Sequence, residues 1–303
     1  MQALQTDQLT KKYGKTTVVD SVDLQILQGS IFGFLGKNGA GKSTLINMVT
    51  GLINPSSGSF EMLGHSAKKL KAIQNEIGVL PDYSTFYDDL TALGHLNYFQ
   101  KLFKLSLSKE DLLRILERVG LADAAHIKVK NFSFGMKKKL GIAQSIINQP
   151  KLLFLDEPTS GVDANAVLNI HSLIREIAAN GTTIFLTSHN LNEVEKLCDE
   201  IAIMNKGKIQ TQGTMKQLQE QYQQEIIIYI RHRRITEPEQ ASLQTALAPL
   251  AANVQIRGTS SEITVQEQES IPQVNKWFVE QDVDVFRLEV EEPSLEDIFL
   301  QLE

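Results

Sequence analysis

The sequence predicts an α/β protein: a mainly parallel sheet interrupted by a helical insert, followed by a small α+β domain. Three observations predict it. An apolar strand, Ile31–Leu35, runs into a glycine-rich loop that opens a helix, the usual start of a parallel α/β layout. Lys151–Leu155, Thr182–Leu186 and Glu200–Met204 are almost continuously apolar, which suits strands covered on both faces. Beyond about residue 220 the texture shifts. Residues 1–220 carry 24 basic and 21 acidic side chains, whereas residues 221–303 carry 6 and 15, so the overall net charge of −6 comes from the tail.

The elements follow in order. Val18–Ile26 and Ile31–Leu35 read as strands, and a helix runs from about Ser43 through Leu45, Ile46, Met48 and Val49. Residues 84–147 read as the helical insert. There Leu90, Leu93, Leu96, Phe99, Leu102 and Phe103 recur at helical spacing, and Ser108 with Asp111 three positions on caps a second helix through Leu112 and Leu116. Residues 151–220 return to α/β. The tail reads as strand 226–230, helix 240–250, strands 254–257 and 262–266, helix 272–281, strand 284–290 and helix 293–302. That βαββαβ order with a last helix predicts a ferredoxin-like domain, and places the domains at residues 1–220 and 221–303.

Composition excludes several classes. A chain of 303 residues can bury a sizeable core, and 42% hydrophobic with 22% charged residues is globular rather than disordered. One cysteine, Cys198, rules out a disulfide framework and a thiolate zinc cluster. The mild acid excess argues against a nucleic-acid coat. The start lacks the apolar stretch of a signal peptide, and no apolar run approaches the ~18 residues of a spanning helix. A cytoplasmic chain is expected, with any membrane role supplied by a partner. The sequon Asn131-Phe132-Ser133 is then accidental.

Gly36-Lys37-Asn38-Gly39-Ala40-Gly41-Lys42-Ser43-Thr44 fits G-x-x-x-x-G-K-[ST]. Glycines let the backbone curl so that amide N–H groups point at phosphate oxygens, and the following helix adds its positive end. Lys42 offers a point charge to β- and γ-phosphates, and the Ser43 hydroxyl a ligand for Mg²⁺. Leu152–Leu155 ends in Asp156 and Glu157, at the carboxyl end where open α/β sheets bind ligands. Asp156 suits Mg²⁺, and Glu157 can polarise a water attacking the γ-phosphate.

The run Leu155-Asp156-Glu157-Pro158-Thr159-Ser160-Gly161-Val162-Asp163 resembles the nucleotide-binding domain of ABC transporters. The resemblance covers about residues 1–220 through six motifs in order. It implies an ATPase with a P-loop core, Mg²⁺ as cofactor and ATP as substrate. Tyr13 matches the aromatic that stacks on adenine. Ser133-Phe134-Gly135-Met136 resembles the signature motif, which binds the γ-phosphate held by the opposite subunit. Asp163 matches an acid that crosses to that subunit, and His189 the histidine that contacts the γ-phosphate. The length and lack of spans are similar to the ATPase subunit of a bacterial exporter with a separate membrane permease. The partners implied are that permease and a second ATPase subunit, identical or paired, with no nucleic acid. The implied location is peripheral, on the inner face of the cell membrane.

The chain departs from the family's pattern at Asp82, where a glutamine touching Mg²⁺ and the attacking water is usual. Aspartate keeps metal contact and loses the hydrogen-bond donor. Phe134 replaces the first glycine of the signature. Closure of the dimer is expected to pull on a permease helix beside Asp82, with Phe86, Tyr87, Tyr98 and Phe103 as candidates to line its groove. Trp277, Phe278 and Cys198 read as core. A cytoplasmic nucleotide-dependent switch is the competing reading.

Overall fold

A computed structural model describes residues 1–82, 85–223 and 225–302. Ser84, the expected first residue of the insert, lies outside the described residues. The chain divides into two compact units, Met1–Met215 with Leu302, and Lys216–Gln301.

The first unit holds two sheets. β1 (Gln2–Tyr13), β2 (Thr16–Leu27), β4 (Ser57–Met62) and β5 (His65–Ser66) form an antiparallel sheet in the order β2-β1-β4-β5. Sequence periodicity did not reveal β1. Register shifts along its pairing with β2, and a left-handed Gln8 (φ 47), break the alternation of buried and exposed residues. The second sheet contains β3 (Ile31–Leu35), β6 (Ile77–Leu80), β7 (Leu152–Asp156), β8 (Thr183–Thr187), β9 (Glu200–Asn205) and β10 (Lys208–Gly213), in the order β10-β9-β3-β8-β7-β6. Only the β9–β10 pair is antiparallel. All five β3 residues are buried, as a strand covered on both faces requires. Phe34 and Phe154 each pack 5.3 Å from Phe185 at the sheet's centre. Gly33 is needed by close packing: a Cβ there would come 2.6 Å from a methyl of Val194 and 2.9 Å from Cys198 Sγ.

α1 (Lys42–Val49) buries Leu45, Ile46, Met48 and Val49, the face its spacing predicted. α2 (Ala92–Leu102), α3 (Lys109–Arg118) and α4 (Phe134–Ser145) build the insert. The Ser108–Asp111 capping box is present. The buried face of α2 differs from the expected one. Ala92, His95, Leu96 and Gln100 are inside, while Leu102 is exposed. His95 Nε2 meets Gln144 Oε1 at 2.9 Å while its buried Nδ1 has no partner among the described residues, and Gln100 Oε1 accepts from the Leu107 amide at 2.8 Å. α5 (Ala164–Ala179) and α6 (Leu191–Leu197) complete the unit, and Cys198 caps the end of α6. Burial pushes the Cys198 thiol pKa far up, leaving an unreactive apolar group.

The second unit starts within α7 (Met215–Tyr222) and continues through β11 (Ile226–His232), α8 (Glu237–Leu247), β12 (Ala251–Arg257), β13 (Ser260–Val265), α9 (Ser270–Glu280), β14 (Val285–Glu291) and α10 (Leu295–Gln301). Its sheet order is β12-β13-β11-β14 with every neighbour antiparallel. That order, with two helices crossing the sheet, is the ferredoxin-like arrangement expected from the element order. α8 begins three residues earlier than its apolar pattern suggested, because a Thr236–Glu239 capping box and Pro238 define its first turn. Trp277 and Phe278 lie in the core with Ile228, Ile230 and Ile263.

Candidate functional site

The phosphate loop joins β3 to α1. Gly39 (φ 83) and Gly41 (φ 113) take left-handed conformations, and a Cβ on Gly41 would lie 2.7 Å from the Val18 carbonyl. Gly41 occupies the N-cap of α1 with no side-chain cap, and the first turn carries no acid, so the helix presents bare amides and an uncompensated positive end. Ala40 is buried, Asn38, Gly39 and Ser43 are exposed, and Gly36, Lys42 and Thr44 are half-buried. The Lys42 ammonium donates back to the carbonyls of Gly36 and Lys37. Burial lowers its pKa, opposed by the charges of Glu157 and Asp156.

Those carboxylates are positioned by two neighbouring parallel strands. β7 and β8 pair so that Asp156 lies opposite Thr187. The Thr187 hydroxyl donates to Asp156 Oδ1 at 2.5 Å and accepts from the Glu157 amide at 3.1 Å. Glu157 is left-handed, at φ 51. Its Oε2 lies 2.8 Å from His189 Nδ1; the carboxylate is mostly covered (15% exposed) and the imidazole open (71%). Parallel pairing of β3 with β8 and of β8 with β7 brings the segments that carry Lys42, Asp156, Glu157 and His189 to one carboxyl edge of the sheet.

The remaining expected residues have local partners. Tyr13 ends β1, half-exposed, with the Lys11 ammonium 5.1 Å from its ring centre. Ser133 is the N-cap of α4, its hydroxyl accepting from the Met136 amide at 3.2 Å. Gly135 follows in the first turn of α4, where an added Cβ would meet Ala166 at 3.4 Å. Asp163 caps α5 by accepting from the Ala166 amide at 3.0 Å. Tyr87 and Tyr98, both exposed, hydrogen-bond through their hydroxyls, and Tyr87 packs with Phe86 and Phe99 around His95. Phe103 borders a cleft of about 730 Å³ with Thr50, Leu52, Lys71, Asn75 and Gln144, whose lining includes neither Asp82 nor Phe86, Tyr87 and Tyr98.

Three features escaped sequence reasoning. Thr187 ends a strand and is visible only through its register with β7. Glu193 accepts from Thr159 (2.6 Å) and Asn190 (2.9 Å) and lies 3.2 Å from His171 Nε2, joining the segment after Glu157 to α6. Lys138 is 5% exposed, its ammonium 2.7 Å from the Glu157 carbonyl and 3.6 Å from Asp82 Oδ1. It becomes visible only once α4 is packed, where positions 138, 141, 142 and 145 form one buried face.

A glycine loop against a helix terminus, facing acids at the ends of parallel strands, defines a P-loop nucleotide-hydrolysing fold. Comparison with known proteins narrows it. The profile of a family described as "ABC transporter" matches residues 19–160, and one described as "ATP-binding protein DrrA1-3-like, C-terminal domain" matches residues 213–302. The bacitracin transport ATP-binding protein BcrA of Bacillus licheniformis is 35% identical over 99% of this chain and 96% of its own length. The linearmycin resistance ATP-binding protein LnrL of Bacillus subtilis (strain 168) is 32% identical over 99% and 97%. A solved ATP-binding subunit of an ABC transporter superposes with TM-score 0.66 at 27% identity, covering 73% of this chain and 93% of that one. The chain belongs to the ATP-binding subunits of the ABC transporter family, and its activity is ATP hydrolysis that powers transport.

Proposed function

We propose that this subunit binds Mg-ATP between two cassettes arranged head to tail and drives a separate membrane permease that exports an antimicrobial compound. The observation that carries the catalytic reading is the Glu157–His189 pair, 2.8 Å apart, at the same carboxyl edge of the sheet as the phosphate loop. Residues 1–220 are the catalytic cassette and residues 221–303 an accessory domain.

Each residue has a role in this reading. Tyr13 stacks on adenine. Amides of residues 36–44 and the Lys42 ammonium bind phosphate oxygens, the ammonium exchanging its loop carbonyls for them. Glu157 accepts a proton from the attacking water, and His189 orients Glu157 and touches the γ-phosphate. Ser133, Gly135 and Met136 at the start of α4 close on the nucleotide of the opposite subunit, and Asp163 meets that subunit. Closure excludes water and strengthens these charges.

The donors fit Mg²⁺. The Ser43 hydroxyl and the Asp156 and Asp82 carboxylates are hard oxygen ligands. Such a cation is completed by substrate phosphates and water. When bound, Mg²⁺ neutralises phosphate charge.

The export reading is supported by BcrA and LnrL, named for bacitracin transport and linearmycin resistance. A membrane partner is implied because no helix among the described residues is long and apolar enough to cross a bilayer. The subunit would then sit on the cytoplasmic face of the membrane. Co-expression with a candidate permease tests this. The chain should pellet with membranes only when the permease is present, and the assembled complex should show ATPase activity stimulated by transported compound. A chain that stays off membranes with every permease would favour a cytoplasmic switch.

A further inference from the structure

Lys138 is a long cation placed almost wholly inside the first unit, on the face of α4 that also buries Gly141, Ile142 and Ser145. Burying an ammonium is costly unless every N–H finds an acceptor. Here two accept hydrogen bonds, the Glu157 carbonyl at 2.7 Å and the Asp82 carbonyl at 3.2 Å, and the Asp82 carboxylate adds an ion pair at 3.6 Å. The ring of Phe134 lies 5.8 Å away. One side chain therefore links the helix that starts at Ser133, the loop at Asp82 and the main chain of Glu157.

The link to Glu157 falls where the backbone needs it. A left-handed φ of 51 is sterically unfavourable for a residue with a side chain. The Glu157 amide is held by Thr187, its carboxylate by His189 and its carbonyl by Lys138. Removing Lys138 frees the carbonyl side of that clamp, and the carboxylate loses its fixed aim.

We propose that Lys138 is a positioning residue that fixes the Glu157 backbone and, through Asp82, makes the geometry of Glu157 depend on the position of the loop at residue 82. The Asp82 carboxylate gives that loop a charge that the Lys138 ammonium meets at 3.6 Å. This rests on the assignment of Glu157 to water activation.

The test uses the full chain with Lys138→Met, Lys138→Gln, Asp82→Asn and the double variant Lys138→Met/Asp82→Asn. Phosphate release is followed across ATP and magnesium titrations, and affinity for a fluorescent ATP analogue is measured separately. Lys138→Met should hold analogue affinity within about twofold and lower kcat by roughly tenfold or more, with Lys138→Gln, which keeps a donor, in between. Asp82→Asn should cost less, and the double variant less than the product of the two single effects, since the pair shares the Lys138–Asp82 contact. If Lys138→Met does not fold, the same comparison is made with Lys138→Gln. Unchanged kcat, a loss confined to KM, or effects that multiply in the double variant would overturn the proposal. Glu157→Gln separates the two levels. If it hydrolyses normally, the reading of the site fails; if it is inactive while Lys138 and Asp82 act independently, only this inference fails.

Discussion

The two units both bury aliphatic side chains around a sheet, yet they treat polar groups in opposite ways. In the second, buried His232 is satisfied on both ring nitrogens, by the Arg233 carbonyl at 2.6 Å and the Ser261 hydroxyl at 2.8 Å. Its Arg233–Glu239 ion pair serves a helix cap. These polar groups are spent on the fold. In the first, charged groups converge on strand ends, one carboxylate sits on a strained backbone and one lysine is buried against it. The difference teaches where the chemistry lies: a fold spends stability on such arrangements where ligands and reacting atoms must be held.

The largest effect that would break this contrast is at Lys42. Lys42→Met should reduce ATP hydrolysis by roughly two orders of magnitude or more, read as phosphate release, because it removes the point charge on the phosphates. Next comes a cut in the other core. Ile228 is fully buried in the second unit, and Ile228→Ala should lower that unit's stability by about 2–5 kcal/mol in chemical denaturation. Binding of a fluorescent ATP analogue should be unchanged, since every proposed nucleotide contact lies in the first unit.

The pH responses should differ more gently. Burial lowers the pKa of His95, opposed by Gln144, so the folded first unit favours the neutral ring. Its contribution is complete above the usual value of 6.5 and is lost as pH falls below it. His95→Leu should flatten this slope in melting curves. In the second unit Arg233, with the amide and hydroxyl of Thr236, holds Glu239 at about 2 instead of 4.5. That contribution is complete above pH 4.5 and is lost as pH falls toward about 2, and Glu239→Gln should remove the dependence. A shared pH window for both units would contradict the contrast.

Much of this was legible in the sequence, for local physical reasons. β3, β7 and β8 are continuously apolar because both faces are covered, and the phosphate loop must be glycine-rich to curl. The Ser108–Asp111 box marks its helix by chemistry within four residues. The ferredoxin-like order follows from element order alone. What was hidden depends on distant parts of the chain. β1 loses its period to bulges, Thr187 matters only through its register with Asp156, and Lys138 looks like one of three solvated lysines until α4 is packed. The face of α2 was misjudged because His95 and Gln100 are buried with partners, one of which, Gln144, lies on another helix.

The central claim is that Glu157, held by Thr187, Lys138 and His189, activates the water that attacks ATP. It is tested most directly with Glu157→Gln, which keeps the side chain's shape and removes its basicity. Single-turnover hydrolysis should fall by roughly 100-fold or more while Mg-ATP still binds, and an ATP-bound dimer should accumulate on size-exclusion chromatography. A variant that hydrolyses at the parent rate and stays monomeric with ATP would contradict the account.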